Sequence, residues 1–153
     1  MSETHPRPLV VDTSVAVKFY LPEDGHEEAV RLLDAADAST AELLAPGTIF
    51  PEGYNAITQQ QRRGLLDPED ARQAWENLLR APIYTYAIEN LIERAGQIAR
   101  ETAAIVYDAL FLALAEGAET VIVTADARLI KTLKNTAYSS LARHLSEVDI
   151  LLH

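Results

Sequence analysis

Hydrophobic positions along this chain follow two patterns: short continuous apolar runs, and longer stretches in which apolar residues return every three or four positions. The runs read as interior strands of a parallel sheet, and the periodic stretches as helices packed on its faces. Residues 107–129, YDALFLALAEGAETVIVTADARL, carry both. Residues 109–115 are apolar on every side, which suits a helix buried all round, and residues 120–124, TVIVT, form a largely β-branched strand after it. The chain opens on the same plan, with a first strand at residues 9–11 and Asp12-Thr13-Ser14 at its end. A helix over residues 14–20 stops before Pro22, residues 23–25 turn, and Ala29, Val30, Leu32, Leu33 and Ala36 give helical periodicity across residues 26–38. Residues 42–45 predict a second strand ended by Pro46-Gly47, after which Thr48 is placed to cap a helix running to about Arg63, with Gly64 as its stop. Asp67-Pro68-Glu69-Asp70 reads as an N-cap, a first-turn proline and first-turn acids for a helix to residue 79, and Pro82 ends it. Residues 83–86 give a third strand. A helix over residues 88–100 puts Leu91, Ile92, Ala95, Ile98 and Ala99 on one face; a short helix then runs from Asp126 to residue 133, and a last short strand covers residues 140–145. Strands alternating with helices predict an α/β fold, a three-layer sandwich whose central, mainly parallel sheet is flanked by helices.

A length of 153 residues fits a single domain with a substantial core, preceded by a loose lead-in over residues 1–7. The chain has no apolar span of membrane length and no basic-then-apolar start, so the expectation is a cytoplasmic protein without a membrane anchor. Zero cysteines exclude disulfides, thiolate zinc sites and a cysteine nucleophile, and the four histidines lack ligand spacing. Any metal would have to be held by oxygen. A net charge of −10 argues against a broad phosphate-binding surface. It argues less against an enzyme that grips phosphate through a bound cation, because site carboxylates would supply part of the acidity. Basic residues gather locally at Arg62-Arg63 and along Arg128, Lys131 and Lys134.

Ligands of open α/β sheets bind beyond the carboxyl ends of the strands. Asp12 and Asp126 stand at two such ends. Glu52 lies in the first turns of the helix after the second strand, and Asp108 starts the helix leading into the fourth, so all four acids can project to one edge. Singly, each also serves as an N-cap or complements a helix dipole. Jointly, four carboxylates without Lys or Arg beside them would repel one another unless a cation bound, and Mg²⁺ or Mn²⁺ favours such an oxygen-rich setting. Ser14 and Thr124 are either caps or polar contacts to metal-bound water or substrate. Asn55, one turn after Glu52, either orients its carboxylate or faces solvent. Trp75 and the Tyr84–Tyr86 pair read as core or dimer packing. Arg62 and Arg63 read as a solvated helix end.

Four segments, VVDTSV at residues 10–15, PEGYNAI at 51–57, YDALFLALAE at 107–116 and VTADARL at 123–129, together with NTAY at 135–138, resemble the PIN-domain ribonucleases, and within them the VapC toxins of bacterial toxin–antitoxin pairs. The resemblance spans nearly the whole chain and implies a PIN-like fold. The family's metal-binding acids fall on Asp12, Glu52, Asp108 and Asp126, with Ser14, Asn55 and Thr124 beside them. Gly53-Tyr54 departs from the apolar helix formers usual after the glutamate, which sets Glu52 apart from the other three. The resemblance implies an endoribonuclease that holds one or two Mg²⁺ or Mn²⁺ ions and activates a water for in-line attack on an RNA phosphodiester. It further implies a homodimer restrained by a VapB-type antitoxin whose basic segment enters the acidic pocket, with Arg62, Arg63 and Arg128 as candidate RNA contacts. Two alternatives stand beside this reading. A receiver-like Mg²⁺-binding signalling domain would need paired acids ending strand one, an Asp ending the third strand and a Lys ending the last, none of which is found. A catalytically silent PIN-like binding module would differ only in lacking cleavage.

Overall fold

The strand that organises the molecule is β1, Arg7–Val11, which lies at the centre of a five-stranded sheet of order β3-β2-β1-β4-β5. The other strands are β2 (Ala41–Pro46), β3 (Ile83–Tyr86), β4 (Ile122–Thr124) and β5 (Ala142–His144). Every pairing is parallel, with Val10 opposite Leu44 on β2 and opposite Ile122 on β4. The computed structural model describes residues 5–153. Among them no helix is long and apolar enough to cross a membrane.

Parallel strands need crossover connections, and helices supply them. Helices α1 (Thr13–Ala16), α2 (His26–Asp37), α3 (Ile49–Arg62), α4 (Pro68–Leu79), α5 (Ile92–Glu101), α6 (Val106–Gly117), α7 (Ala127–Leu133) and α8 (Val148–Leu151) complete the order. In α6 all seven residues from Ala109 to Ala115 are buried, and the burial of Leu110, Phe111, Leu112 and Leu114 stabilises the fold by about 1.5–3 kcal/mol each. Helices that follow a strand begin at its carboxyl end, which puts the N-termini of α1, α3 and α7 on one edge of the sheet. A helix that leads into a parallel strand runs back against it, so the N-terminus of α6 opens on that edge as well.

The strand boundaries differ from the sequence expectation for local reasons. β1 begins at Arg7, two residues earlier than expected, although Pro8 lacks a donor. The Arg7 amide bonds to Thr40 on the β2 side, while Val10 and Asp12 donate to Val121 and Val123 on the β4 side. The face of Pro8 without an N–H therefore looks toward β4, which pairs only from Val10 onward, and the Thr120 hydroxyl donates to the Pro8 carbonyl instead. The predicted lead-in is thus shorter, and its residues 1–4 lie outside the described residues. β4 is confined to Ile122–Thr124 because residues 118–120 close α6: Glu119 takes φ 55° and the Thr120 amide donates to Ala115. The helix expected over 14–20 is α1 followed by a 3₁₀ turn at Val17–Phe19, and the helix expected from residue 88 starts as a separate 3₁₀ turn at Ile88–Asn90. The last strand keeps only Ala142–His144 of the expected 140–145, with 3₁₀ turns on either side and α8 beyond, none of which periodicity announces in so short a segment. Thr48 stands at the N-cap position of α3 in a helical conformation, so its hydroxyl makes no cap and is buried without a partner. Asp67, by contrast, caps α4 as expected, accepting from the Asp70 amide at 2.8 Å.

Candidate active site

The convergent helix N-termini carry acids to a single edge. Asp12 ends β1 and N-caps α1, accepting from the Val15 amide at 3.3 Å and from the Ser14 hydroxyl. Ser14 in turn accepts from the Ala125 amide at 3.0 Å, so one hydroxyl ties the end of β1 to the end of β4. Thr124, the last residue of β4, is fully buried, and its hydroxyl accepts from the Asp126 amide at 3.0 Å. Asp126 caps α7 through the Arg128 amide at 2.9 Å. Glu52 sits in the first turn of α3 and Asp108 in the first turn of α6.

Burial pushes the Asp12 carboxyl up to about 6, against the hydrogen bonds from Ser14, Thr124 and the Val15 amide, and the Asp108 charge pushes the same way. Burial is also the main cause raising Glu52, with Asp108 and Asp12 adding to it and the Thr13 hydroxyl opposing. Asp108 is raised by burial first and then by Asp126, while Arg128 lowers it. Asp12, Glu52 and Asp108 thus each feel another acid of the set, and Asp126 acts on Asp108, although the four come from positions as far apart as 12 and 126. Among the described residues, no three His, Cys, Asp or Glu side chains close on a common point as a ready ion cage.

The remaining expected residues divide. Arg128 reaches Asp126 at 3.5 Å with a side chain 93% exposed. Arg62 and Arg63 are exposed at the far end of α3, roughly 15 Å along the helix from Glu52 at 1.5 Å per residue, so the structure does not bring them to the acids. Asn55 is exposed and does not orient Glu52; the donor to Glu52 is Thr13, at 2.6 Å. Sequence reading missed Thr13 in favour of the neighbouring Ser14, yet two consecutive hydroxyls after a strand-end acid are enough to serve two carboxylates. The Gly53 departure also has a cause. A Cβ there would lie 2.4 Å from Cδ2 of the buried Leu78, so glycine lets α4 pack close against α3 without moving Glu52 out of the first turn. Tyr54 then packs edge-to-face on Trp75, ring centroids 4.8 Å apart. The receiver-like alternative fails on topology as well as on sequence, because β3 is an edge strand separated from β1 by β2 and ends in Tyr86.

Residues 9–135 match the family model for the PIN domain. Ribonuclease VapC3 of Pyrobaculum aerophilum is 32% identical over 126 residues, 79% of this chain and 91% of that protein. The VapC ribonuclease Mb0985 of Mycobacterium bovis is 35% identical over 124 residues, 81% of this chain and 90% of that protein. Among solved structures, PAE2754 from Pyrobaculum aerophilum superposes with a TM-score of 0.65 at 17% identity, covering 99% of this chain and 98% of that one. A toxin–antitoxin complex from Klebsiella pneumoniae gives 0.56 at 14% identity over 90% of this chain and 97% of that one, and both likenesses speak to the fold. On the motif order, the fold and these identities together, the chain belongs to the PIN-domain family and, within it, to the VapC ribonucleases.

Proposed function

We propose that this protein is a divalent-metal-dependent endoribonuclease acting as the toxin of a toxin–antitoxin pair, with Asp12, Glu52, Asp108 and Asp126 as its metal-binding acids. The observation that carries the reading is the gathering of four acids at one edge of the sheet, in which buried Asp12 is pushed up to about 6 and, among the described residues, Arg128 is the cation that reaches the set. The donor set fits a hard ion because it is made of oxygen, and burial raises Asp12, Glu52 and Asp108, a direction that a nearby cation would oppose. A bound Mg²⁺ or Mn²⁺ would polarise a water and the scissile phosphate.

The chain's own residues supply the rest. The Ser14 and Thr124 hydroxyls oppose the effect of burial on Asp12, and the Thr13 hydroxyl does so for Glu52, which fixes its orientation. Arg128, 3.5 Å from Asp126 and largely exposed, would meet a phosphate of the RNA chain. Two relatives carry the name ribonuclease, and a structural neighbour is a toxin bound to its antitoxin; these support RNA as substrate and a basic-tailed antitoxin as partner for a chain of net charge −10. A homodimer in the cytoplasm completes the proposal.

Cleavage of single-stranded RNA should vanish in chelator and return with Mg²⁺ or Mn²⁺. Ca²⁺ should bind yet support little cleavage, because its looser coordination aligns an in-line attack poorly. Cleavage that persists in excess chelator would sink the proposal, and intact RNA under every metal would mark a silent binding module.

A further inference from the structure

Helix α6 changes character within a single residue. From Ala109 onward it is core, yet Ile105, Val106 and Tyr107, immediately before the half-buried Asp108, are 60%, 40% and 61% exposed. Single exposed apolar residues are ordinary, but three in a row where α6 opens on the acid edge of the sheet call for a function.

The charge of the molecule narrows what that function is. A chain of net charge −10 whose pocket is lined by carboxylates gains little from its own contacts to a polyanion, so part of its grip on RNA has to come from a group that carries no charge. A nucleobase is flat and uncharged, and it stacks on aromatic rings whatever its identity. The other exposed aromatic side chains are poorly placed for this. Tyr54 is engaged with Trp75, and Tyr84 and Tyr86 lie on the edge strand β3, two strands from Asp12. Tyr107 stands in the first turn of α6, one residue before Asp108, at the helix end that opens on the acid edge of the sheet.

We propose that Tyr107 is a substrate-positioning residue on which a base beside the scissile phosphate stacks, with Ile105 and Val106 forming the apolar lip below it; this rests on the ribonuclease reading above. The test uses RNA oligonucleotides of one sequence, intact or abasic at each position flanking the cut, with wild type, Tyr107→Phe and Tyr107→Ala. Tyr107→Ala should lower kcat/KM about 5- to 100-fold, mainly through KM, while Tyr107→Phe stays near wild type. One abasic position should cost the wild type as much and cost Tyr107→Ala nothing further. Losses that multiply at every position would overturn the proposal. So would light scattering in which wild type is a dimer and Tyr107→Ala a monomer, because the lip would then be a contact between copies. A second arm needs no catalysis: oligonucleotides carrying 2-aminopurine at each position are titrated onto Asp108→Asn with and without Tyr107→Ala. Fluorescence quenched at one position only when Tyr107 is present supports the platform, and quenching absent everywhere overturns it. Failure of the wild type to cleave any RNA would count against the ribonuclease reading alone, since the quenching arm still decides the platform.

Discussion

Asp12 and Asp126 both N-cap helices just beyond the carboxyl ends of neighbouring parallel strands, Asp12 directly after Val11 and Asp126 two residues after Thr124. The Ser14 hydroxyl donates to the Asp12 carboxylate, whereas the Thr124 hydroxyl accepts from the Asp126 amide. Their surroundings differ. Asp12 ends the central strand, is covered by α1 and β4, and is pushed up to about 6; Asp126 is 37% exposed and has Arg128 at 3.5 Å. The same capping role thus leaves a buried carboxylate at one strand end and a partly exposed one beside an arginine at the next. What covers the strand end, rather than the cap itself, makes Asp12 the buried one of the pair.

The largest test of that contrast is cleavage. Asp12→Asn, measured in single turnover at saturating Mg²⁺, should lose on the order of 10³-fold, the several kcal/mol that a correctly held ion contributes. Asp126→Asn should lose less, and equal losses would make the two acids interchangeable. Next comes Glu52, whose orientation rests on Thr13: Thr13→Val should weaken Mg²⁺ binding about 10- to 100-fold by calorimetry with little change in melting temperature. Unchanged affinity would remove Glu52 from the ligand set.

The smallest effect concerns stability in chelator. The native Asp12 carboxyl titrates near 6 and the unfolded one near 3.8, so between those values the folded protein holds a proton that the unfolded chain has lost. The stability this provides is complete below the lower value and is lost as pH rises through about 6. Asp12→Asn should therefore stabilise the metal-free protein by about 1–2 kcal/mol at pH 8 and by nothing at pH 4 in urea melts. A gain that is the same at pH 4 and pH 8 would show that the buried Asp12 charge is not its source.

Most of this architecture is written in local signals. The apolar run before Asp12 and the β-branched run before Asp126 mark parallel strands, and a parallel sheet sends every strand-end acid to one edge, which is why those two positions are legible without a structure. Asp108 follows from the direction of a helix that feeds a strand. What sequence could not deliver depends on neighbours distant in the chain. The glycine at 53 is explained only by Leu78, the choice of Thr13 over Asn55 as partner of Glu52 only by how α1 and α3 meet, and the early start of β1 at Arg7 only by β4 ending short of Pro8. The C-terminal 3₁₀ turns and α8 are too short to have a period.

The strand order has a consequence for when the protein becomes active. β1 pairs with β2 within the first third of the chain, but its other neighbour, β4, is contributed by residues 122–124. During synthesis at about 5–20 residues per second, Asp12 leaves the ribosome on the order of ten seconds before Asp126. Throughout that interval β1 lacks its β4 neighbour, and Ser14 lacks the Ala125 amide that ties the two strand ends together. Assembly of the acid pocket is therefore a late event of biogenesis: a nascent or prematurely terminated chain carries part of the site without its closure, and a partner has the length of translation in which to be present before the finished enzyme is.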